Sequence, residues 1–263
     1  MRLMWVLAIP VFLITANVSW MINEERLYDY GFDKYNVSAA TGIKKTYLVE
    51  AAAQIRQYFN DDPLEVLIVP FISDDTYMKG SLSVSVPVRG HERNIYNAKE
   101  IAHMADVKRL VRWVYFSVVL SGSFLVLVAF ICVLRSAFAN NGHNYSLSGR
   151  FAYIRRSMVI FTKWTLYGSS LTFACVIGVS ILALSGFDRL FLEFHQASFA
   201  NDLWQLNPYE DYLIMMFPRG FWFDATVIVL LAILVESAIL FILSCTCLIR
   251  RRNSHYNKIL DRY

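Results

Sequence analysis

Four apolar runs constrain this chain more than anything else in it: Leu3 to Ile22, Val111 to Leu134, Val159 to Phe187 and Phe221 to Ile249. Each is long enough to cross about 30 Å of hydrocarbon, which takes roughly 20 residues of helix. Inside lipid a backbone has no water to bond, so an unbroken apolar run of this length must be helical. The composition agrees. Of 263 residues, 56% are hydrophobic and 17% charged, far from the balance of a soluble domain. The expected fold class is a membrane α-helical protein with four transmembrane helices and a small extracytoplasmic α+β domain between helices 1 and 2.

The first run is longer than the apolar core of a secretory leader and lacks a clean small-x-small cleavage pattern, so it reads as an uncleaved anchor. Arg2, Arg135, Arg150, Arg155, Arg156 and Arg250 to Arg252 all fall at one set of helix ends. By the positive-inside tendency both termini are cytoplasmic. Trp20, Trp113 and Trp222 then mark the outer ends and Trp5 and Trp164 the inner ones, as interfacial belts. The expected boundaries are helix 1 at 1–22, an outer domain at 23–109, helix 2 at 110–134, a cytoplasmic loop at 135–157, helix 3 at 158–187, an outer loop at 188–220, helix 4 at 221–249 and a basic tail at 250–263. The net charge of +4 follows from that topology, and nucleic acid is not a partner. The basic tail is suited to resting on anionic phospholipid. Cys132, Cys175, Cys245 and Cys247 all lie in or beside membrane helices, which leaves no outer disulfide framework and no exposed thiol nucleophile.

Within the outer domain, the tyrosines and Phe32 of "RLYDYGFDKY" suit a segment against lipid headgroups. Leu48, Ala51, Ala52, Ile55 and Phe59 recur at helical spacing, and "DDP" ends that helix. "LEVLIVPF" is strand-like. In "SLSVSVPV", Leu82, Val84, Val86 and Val88 alternate with Ser83, Ser85 and Pro87, the signature of a half-buried strand that Pro87 confines to an edge. "NAKEIAHMADVKRLVRW" then runs into helix 2 without a break, with Glu100, His103 and Asp106 on one face.

Five histidines divide by topology: His143 and His255 inside, His91, His103 and His195 outside. His91 sits in a charged turn and reads as solvent-exposed. His103 and His195 flank membrane-helix ends, His103 with Asp106 three residues on to fix its tautomer, His195 with Asp202 one heptad on and Ser198 and Asn201 between. Two imidazoles at one interface suit acyl transfer, one accepting a proton from an attacking amine or hydroxyl and the other assisting the carbonyl oxygen or the leaving alkoxide. Without HExxH or paired CxxC spacing no metal is assigned. There is no GxSxG elbow either, so a direct transfer without an acyl-enzyme is favoured. Glu236, midway along the fourth run, flags a costly intramembrane carboxylate; facing other helices in protonated or hydrogen-bonded form is the preferred reading over ion passage.

At "EIAHMADVKRL", "LFLEFHQASFANDLWQLNP" and "DYLIMMFPRGFWFDA", and more loosely at "YGFDKYNVSAATGI", the chain resembles the bacterial integral-membrane lipoprotein intramolecular transacylases found chiefly in Gram-positive bacteria. The resemblance implies a cytoplasmic-membrane enzyme with its active site on the outer face. Its substrate would be a diacylglyceryl-modified lipoprotein, whose sn-2 acyl chain moves to the α-amino group of its own N-terminal cysteine to give the lyso form. His103 and His195 match the family's essential histidines. His103, oriented by Asp106, is the leading candidate base and His195 its partner, with the reverse order open. Glu100, Asn201, Asp202, Trp204 and Asp211 are expected to orient groups or line the pocket, Trp204 serving equally well as a belt residue. No cofactor is implied. The alternative is a non-catalytic sensor or assembly factor that binds a partner through its outer domain; a transporter centred on Glu236 would need more intramembrane polar residues.

Overall fold

The computed structural model describes residues 1–61, 82–88, 91–138 and 147–260; the segment "LEVLIVPF" and residues 139–146 of the expected cytoplasmic loop lie outside them, while 135–138 and 147–157, expected as loop, are helical. Four helices carry the apolar runs: α1 (Arg2–Asn23), α5 (Ala98–Phe138), α6 (Leu147–Ser198) and α8 (Arg219–Leu260), and all four are long and apolar enough to span a membrane. Between α1 and α5 lie α2 (Glu25–Lys34), α3 (Val37–Thr41), α4 (Lys45–Asn60), β1 (Ser85–Val88) and β2 (His91–Asn94); the short α7 (Tyr212–Met216) precedes α8. The 41 residues of α5 rise about 60 Å at 1.5 Å each, twice the hydrocarbon thickness. The long helices thus outrun the runs that announce them.

One consequence corrects the sequence reading. The stretch from Asp188 to Ser198, expected as loop, is the last part of α6. The expected end of the membrane helix survives as a kink: at Gly186 the backbone is extended, with φ 169° and ψ 85°, rather than helical. A Ser185–Gly186 pair is where such breaks concentrate.

The chain divides into two compact units. The all-helical unit, so called because its described residues are almost entirely helix, comprises residues 1–15, 117–178 and 231–263. Small residues let its helices approach: a Cβ at Gly168 would lie 2.6 Å from Ile9 Cδ1, and one at Gly122 would lie 3.1 Å from Phe12 Cε2. Such close backbone approach supplies the packing that hydrophobicity cannot supply in lipid. The buried hydroxyls bond within their own helices, Thr172 Oγ1 donating to the Gly168 carbonyl at 2.9 Å and Ser237 Oγ to that of Leu234 at 3.1 Å. Val126, Leu127, Ile177, Val235 and Ile242 remain exposed, as side chains that face lipid must. Trp5, expected in an interfacial belt, is instead buried; it packs at a tilt against Phe161, centroids 4.8 Å apart, and donates to Thr165 Oγ1 at 3.3 Å.

The mixed unit comprises residues 16–116 and 179–230. Its α4 buries Leu48, Ala51, Ala52, Ile55 and Phe59, the spacing read from sequence. Leu82, Val84 and Val86 are buried while Ser83 and Ser85 are exposed, so the period-two alternation is present, and its second half, from Ser85, is the strand β1. It pairs antiparallel with β2, Ser85 opposite Asn94 and Pro87 opposite Glu92. The tyrosine-rich segment differs from expectation. In α2, Tyr28 and Phe32 are core residues, set against Phe217 at 5.9 and 6.0 Å, and the Tyr28 hydroxyl donates to the Ile22 carbonyl at 2.7 Å. Aromatic rings bury large areas, which lets so small an α+β assembly hold a core.

Candidate active site

The first turns of α5 carry three of the expected residues. Asn97 and Glu100 form a reciprocal cap at the start of that helix: Glu100 N–H donates to Asn97 Oδ1 at 3.0 Å and Asn97 N–H to Glu100 Oε2 at 2.8 Å. This is the capping-box arrangement with Asn in the cap position. Glu100 Oε1 also accepts from Leu213 N–H at 2.7 Å, so one carboxylate, 1% exposed, satisfies the starts of both α5 and α7. Burial pushes its pKa up, the two backbone donors oppose this, and Asp211 nearby adds to the rise. Asp211 completes the joint, accepting from Asn97 Nδ2 and from Asn207 N–H, each at 2.7 Å. Glu100 and Asp211 are therefore braces that fix where α5 begins.

One turn beyond Glu100, on the same face, His103 meets His195 from the end of α6. Their ring centroids are 6.2 Å apart with planes 33° from parallel, and the two residues are 6% and 9% exposed. Aromatic rings enclose the pair. Phe199 packs on His103 at 5.1 Å and on His195 at 5.6 Å, while Phe191, Trp204 and Phe194 surround His195 at 4.2, 5.2 and 5.3 Å. Trp204 is thus a wall of the site. The phenylalanines were missed from sequence, although Phe191 and Phe199 stand four residues either side of His195 and would have been found had 188–198 been read as helix.

The hydrogen bonds distinguish the two imidazoles. His195 Nδ1 lies 2.7 Å from the Phe191 carbonyl oxygen. A carbonyl only accepts, so Nδ1 carries the proton and in the neutral ring Nε2 keeps the lone pair. His103 Nδ1 is buried and has no hydrogen-bond partner among the described residues. The expected partners are engaged elsewhere. Asp106 accepts from Asn201 Nδ2 at 2.8 Å and pairs with Arg109 at 3.5 Å, and Asp202 accepts from Gln205 Nε2 at 2.9 Å. Neither bonds a histidine. Asn201 also accepts from Leu203 N–H at 3.1 Å, and together these contacts tie the loop bearing Trp204 to α5.

Both histidines lie outside the apolar runs. Burial lowers His103 to about 4, helped by the facing His195 and opposed by Asp106. Burial lowers His195 too, against the pull of the Phe191 carbonyl. At neutral pH both rings are uncharged, which is the state a proton acceptor needs. Among the described residues no three His, Cys, Asp or Glu side chains converge as metal ligands. A cavity of about 470 Å³ in the all-helical unit, bordered by Trp5, Phe161, Thr165 and Cys247 among others, carries no imidazole or carboxylate; the acid–base chemistry gathers in the mixed unit.

A helical membrane protein with two enclosed, neutral imidazoles facing one another has the equipment for acyl transfer. The comparison with known proteins is specific: the family described as lipoprotein intramolecular transacylase Lit matches residues 3–222, and the chain belongs to it. No curated protein matches the chain significantly. Among solved structures, the membrane-integral Lit of Bacillus cereus is similar with a TM-score of 0.69 at 18% identity, covering 95% of each chain. Two forms of it with a histidine replaced by arginine or by alanine give TM-scores of 0.65 at 18% identity, covering 96% and 95% of this chain and 92% and 93% of theirs. At that identity the likeness concerns the fold. It agrees with a mostly helical, multi-pass membrane protein.

Proposed function

We propose that this lipoprotein transacylase moves the sn-2 acyl chain of a diacylglyceryl lipoprotein to the α-amino group of the lipoprotein's N-terminal cysteine, at the outer face of a bacterial cytoplasmic membrane. The observation that carries the reading is the enclosed His103–His195 pair, 6.2 Å between centroids. The amine attacks the ester carbonyl and its proton passes to a histidine. The resulting oxyanion is held by the second imidazole, then collapses and expels the sn-2 glycerol oxygen, which takes the proton that the first histidine accepted from the amine. The C–O ester bond is exchanged for a C–N amide bond, and the product is an N-acyl, S-monoacylglyceryl cysteine. No acyl-enzyme is formed.

The hydrogen bonding favours the reverse of the order first expected. His195, with Nδ1–H donated to Phe191, offers a basic Nε2 and is the proton acceptor; His103, whose Nδ1 is buried without a partner, is the group left to bond the substrate oxygen. A substrate α-amine of pKa near 8 is partly neutral at pH 7. Because amine and ester belong to one molecule, holding them in attack geometry supplies much of the rate. Bilayer phospholipid surrounds the acyl chains of the bound lipoprotein.

The test is mass spectrometry of a reporter lipoprotein's N-terminal peptide from a host that makes only the diacylglyceryl form, with the wild-type protein, His103→Ala and His195→Ala. The lyso peptide is expected with the wild type alone. An unchanged diacyl peptide with folded, membrane-inserted wild type would overturn the reading and favour a partner-binding role.

A further inference from the structure

The final segment of α6 has two dissimilar faces. On one, Arg189 and Glu193 pair at 2.8 Å, and at its border with the other Asp188 meets Arg219 at 3.2 Å, all of them exposed. On the other, Phe187, Phe191 and His195 follow one another at four-residue spacing, with centroids 6.1 Å and then 4.2 Å apart. Phe223 of α8 abuts Phe187 edge-on at 5.3 Å. These three phenylalanines are half-buried, whereas the core aromatics Phe217 and Phe221 are buried. The row starts directly after the kink at Gly186, and just before that kink Leu184 is 76% exposed. An apolar row of ring contacts therefore runs from Phe223 through Phe187 and Phe191 to an imidazole of the site.

We propose that Phe223, Phe187 and Phe191 are the track on which the transferred acyl chain lies while its carbonyl is at the histidines; the inference rests on the transacylase reading above. An ester at the membrane surface still has its chain in the bilayer, so an enzyme acting there needs an apolar path that leaves the carbonyl at the base. From Phe187 to His195 the helix rises about 12 Å, close to the roughly 15 Å that a chain covers in one leaflet. A chain already in lipid gains nothing from leaving water. What the rings supply is direction: flat surfaces at fixed spacing hold the first methylenes in line, and orientation is where an intramolecular transfer gains its rate.

The experiment compares purified wild type with Phe187→Ala, Phe223→Ala and, outside the track, Phe173→Ala. The substrates are diacylglyceryl cysteine lipopeptides with sn-2 chains of about 8 and about 16 carbons, half and all of a leaflet. Initial rates of lyso-peptide formation are read by mass spectrometry. In Phe187→Ala and Phe223→Ala the long-to-short rate ratio is expected to fall about three- to tenfold, the range set by the loss of a single aromatic contact. It should hold in Phe173→Ala, whose ring pairs with Phe241 in the other unit. Phe187→Leu, which keeps most of the volume, restores part of the ratio and serves if the alanine form does not fold. An unmoved ratio in both folded track variants overturns the track while leaving the transacylase reading standing. Wild type inactive on both substrates overturns the reading and the track together.

Discussion

The two units satisfy most of their polar side chains in different ways. In the all-helical unit, Thr15, Ser121, Thr162, Thr172 and Ser237 each donate to a carbonyl three or four residues back. In the mixed unit, Glu100 reaches Leu213, Asn97 reaches Asp211 and Asn201 reaches Asp106, across 113, 114 and 95 residues of sequence. A hydroxyl bonded to its own helix is satisfied however the helices pack. A carboxylate bonded to a distant backbone is satisfied in one arrangement only, so it selects that arrangement and is costly to lose. The first device lets helices sit in lipid; the second fixes the geometry around two histidines.

The largest effect is expected at Glu100. Replacing it with Ala leaves the N–H groups of Asn97 and Leu213 without their acceptor at two helix starts, at a cost of about 2–4 kcal/mol. Glu100→Gln, which still offers a carbonyl oxygen, should lose less. Thermal unfolding of the purified protein would show both. An unchanged midpoint in Glu100→Ala breaks the contrast, because the long-range bonds would then be ornaments of the fold rather than its determinants.

Acid should act on the same unit. His103 has a folded-state pKa near 4 against an unfolded value near 6.5. The unfolded chain therefore binds more protons between these values, and stability rises with pH there. The stability is complete above about pH 6.5 and is lost as pH falls toward 4, by roughly 2–3 kcal/mol. His103→Leu should flatten that limb in pH-dependent unfolding. If the limb keeps its depth in the variant, another group controls acid sensitivity.

In the all-helical unit the effect depends on space. Gly168→Val would drive a side chain into Ile9, with Cβ already 2.6 Å from Cδ1 and 3.0 Å from Ile9 Cβ, at about 1–3 kcal/mol. Gly178, whose Cβ position is open, should accept Ala with no loss and a gain of up to about 1 kcal/mol from helix propensity. Equal effects at both glycines would mean that helix contact is not what holds this unit.

What the sequence disclosed follows the same division. The four membrane helices, the spacing of α4 and the alternation of Leu82 to Val86 are local patterns, and each was readable. His103 and His195 were readable as residues and, through family resemblance, as a pair. Their partners were not. Asp106 stands one turn from His103, which suggested a hydrogen bond, but its carboxylate is taken by Asn201, a residue that only tertiary folding brings near. The Phe191 carbonyl that sets the His195 tautomer is a backbone atom and leaves no mark in composition. It came into reach only because α6 continues past the kink at Gly186, beyond the end of the apolar run.

The smallest expected effect sharpens the comparison most, because it asks whether Asp106 serves the loop or the imidazole. If it braces the Trp204 loop by accepting from Asn201 Nδ2, then Asn at 106 keeps an acceptor of the same shape, and Asp106→Asn should stay within about threefold of wild-type activity. Asp106→Ala and Asn201→Ala should each cost about 1 kcal/mol of stability, and the double variant no more than either, since both delete one hydrogen bond. If Asp106 instead orients His103, the amide substitution removes the charge that opposes the fall in its pKa. Lyso-peptide formation should then collapse in Asp106→Asn and survive in Asn201→Ala. Rates for the two single variants, set beside a double-mutant cycle of unfolding, separate the roles: parallel small losses belong to the brace, and a large loss confined to position 106 belongs to the histidine.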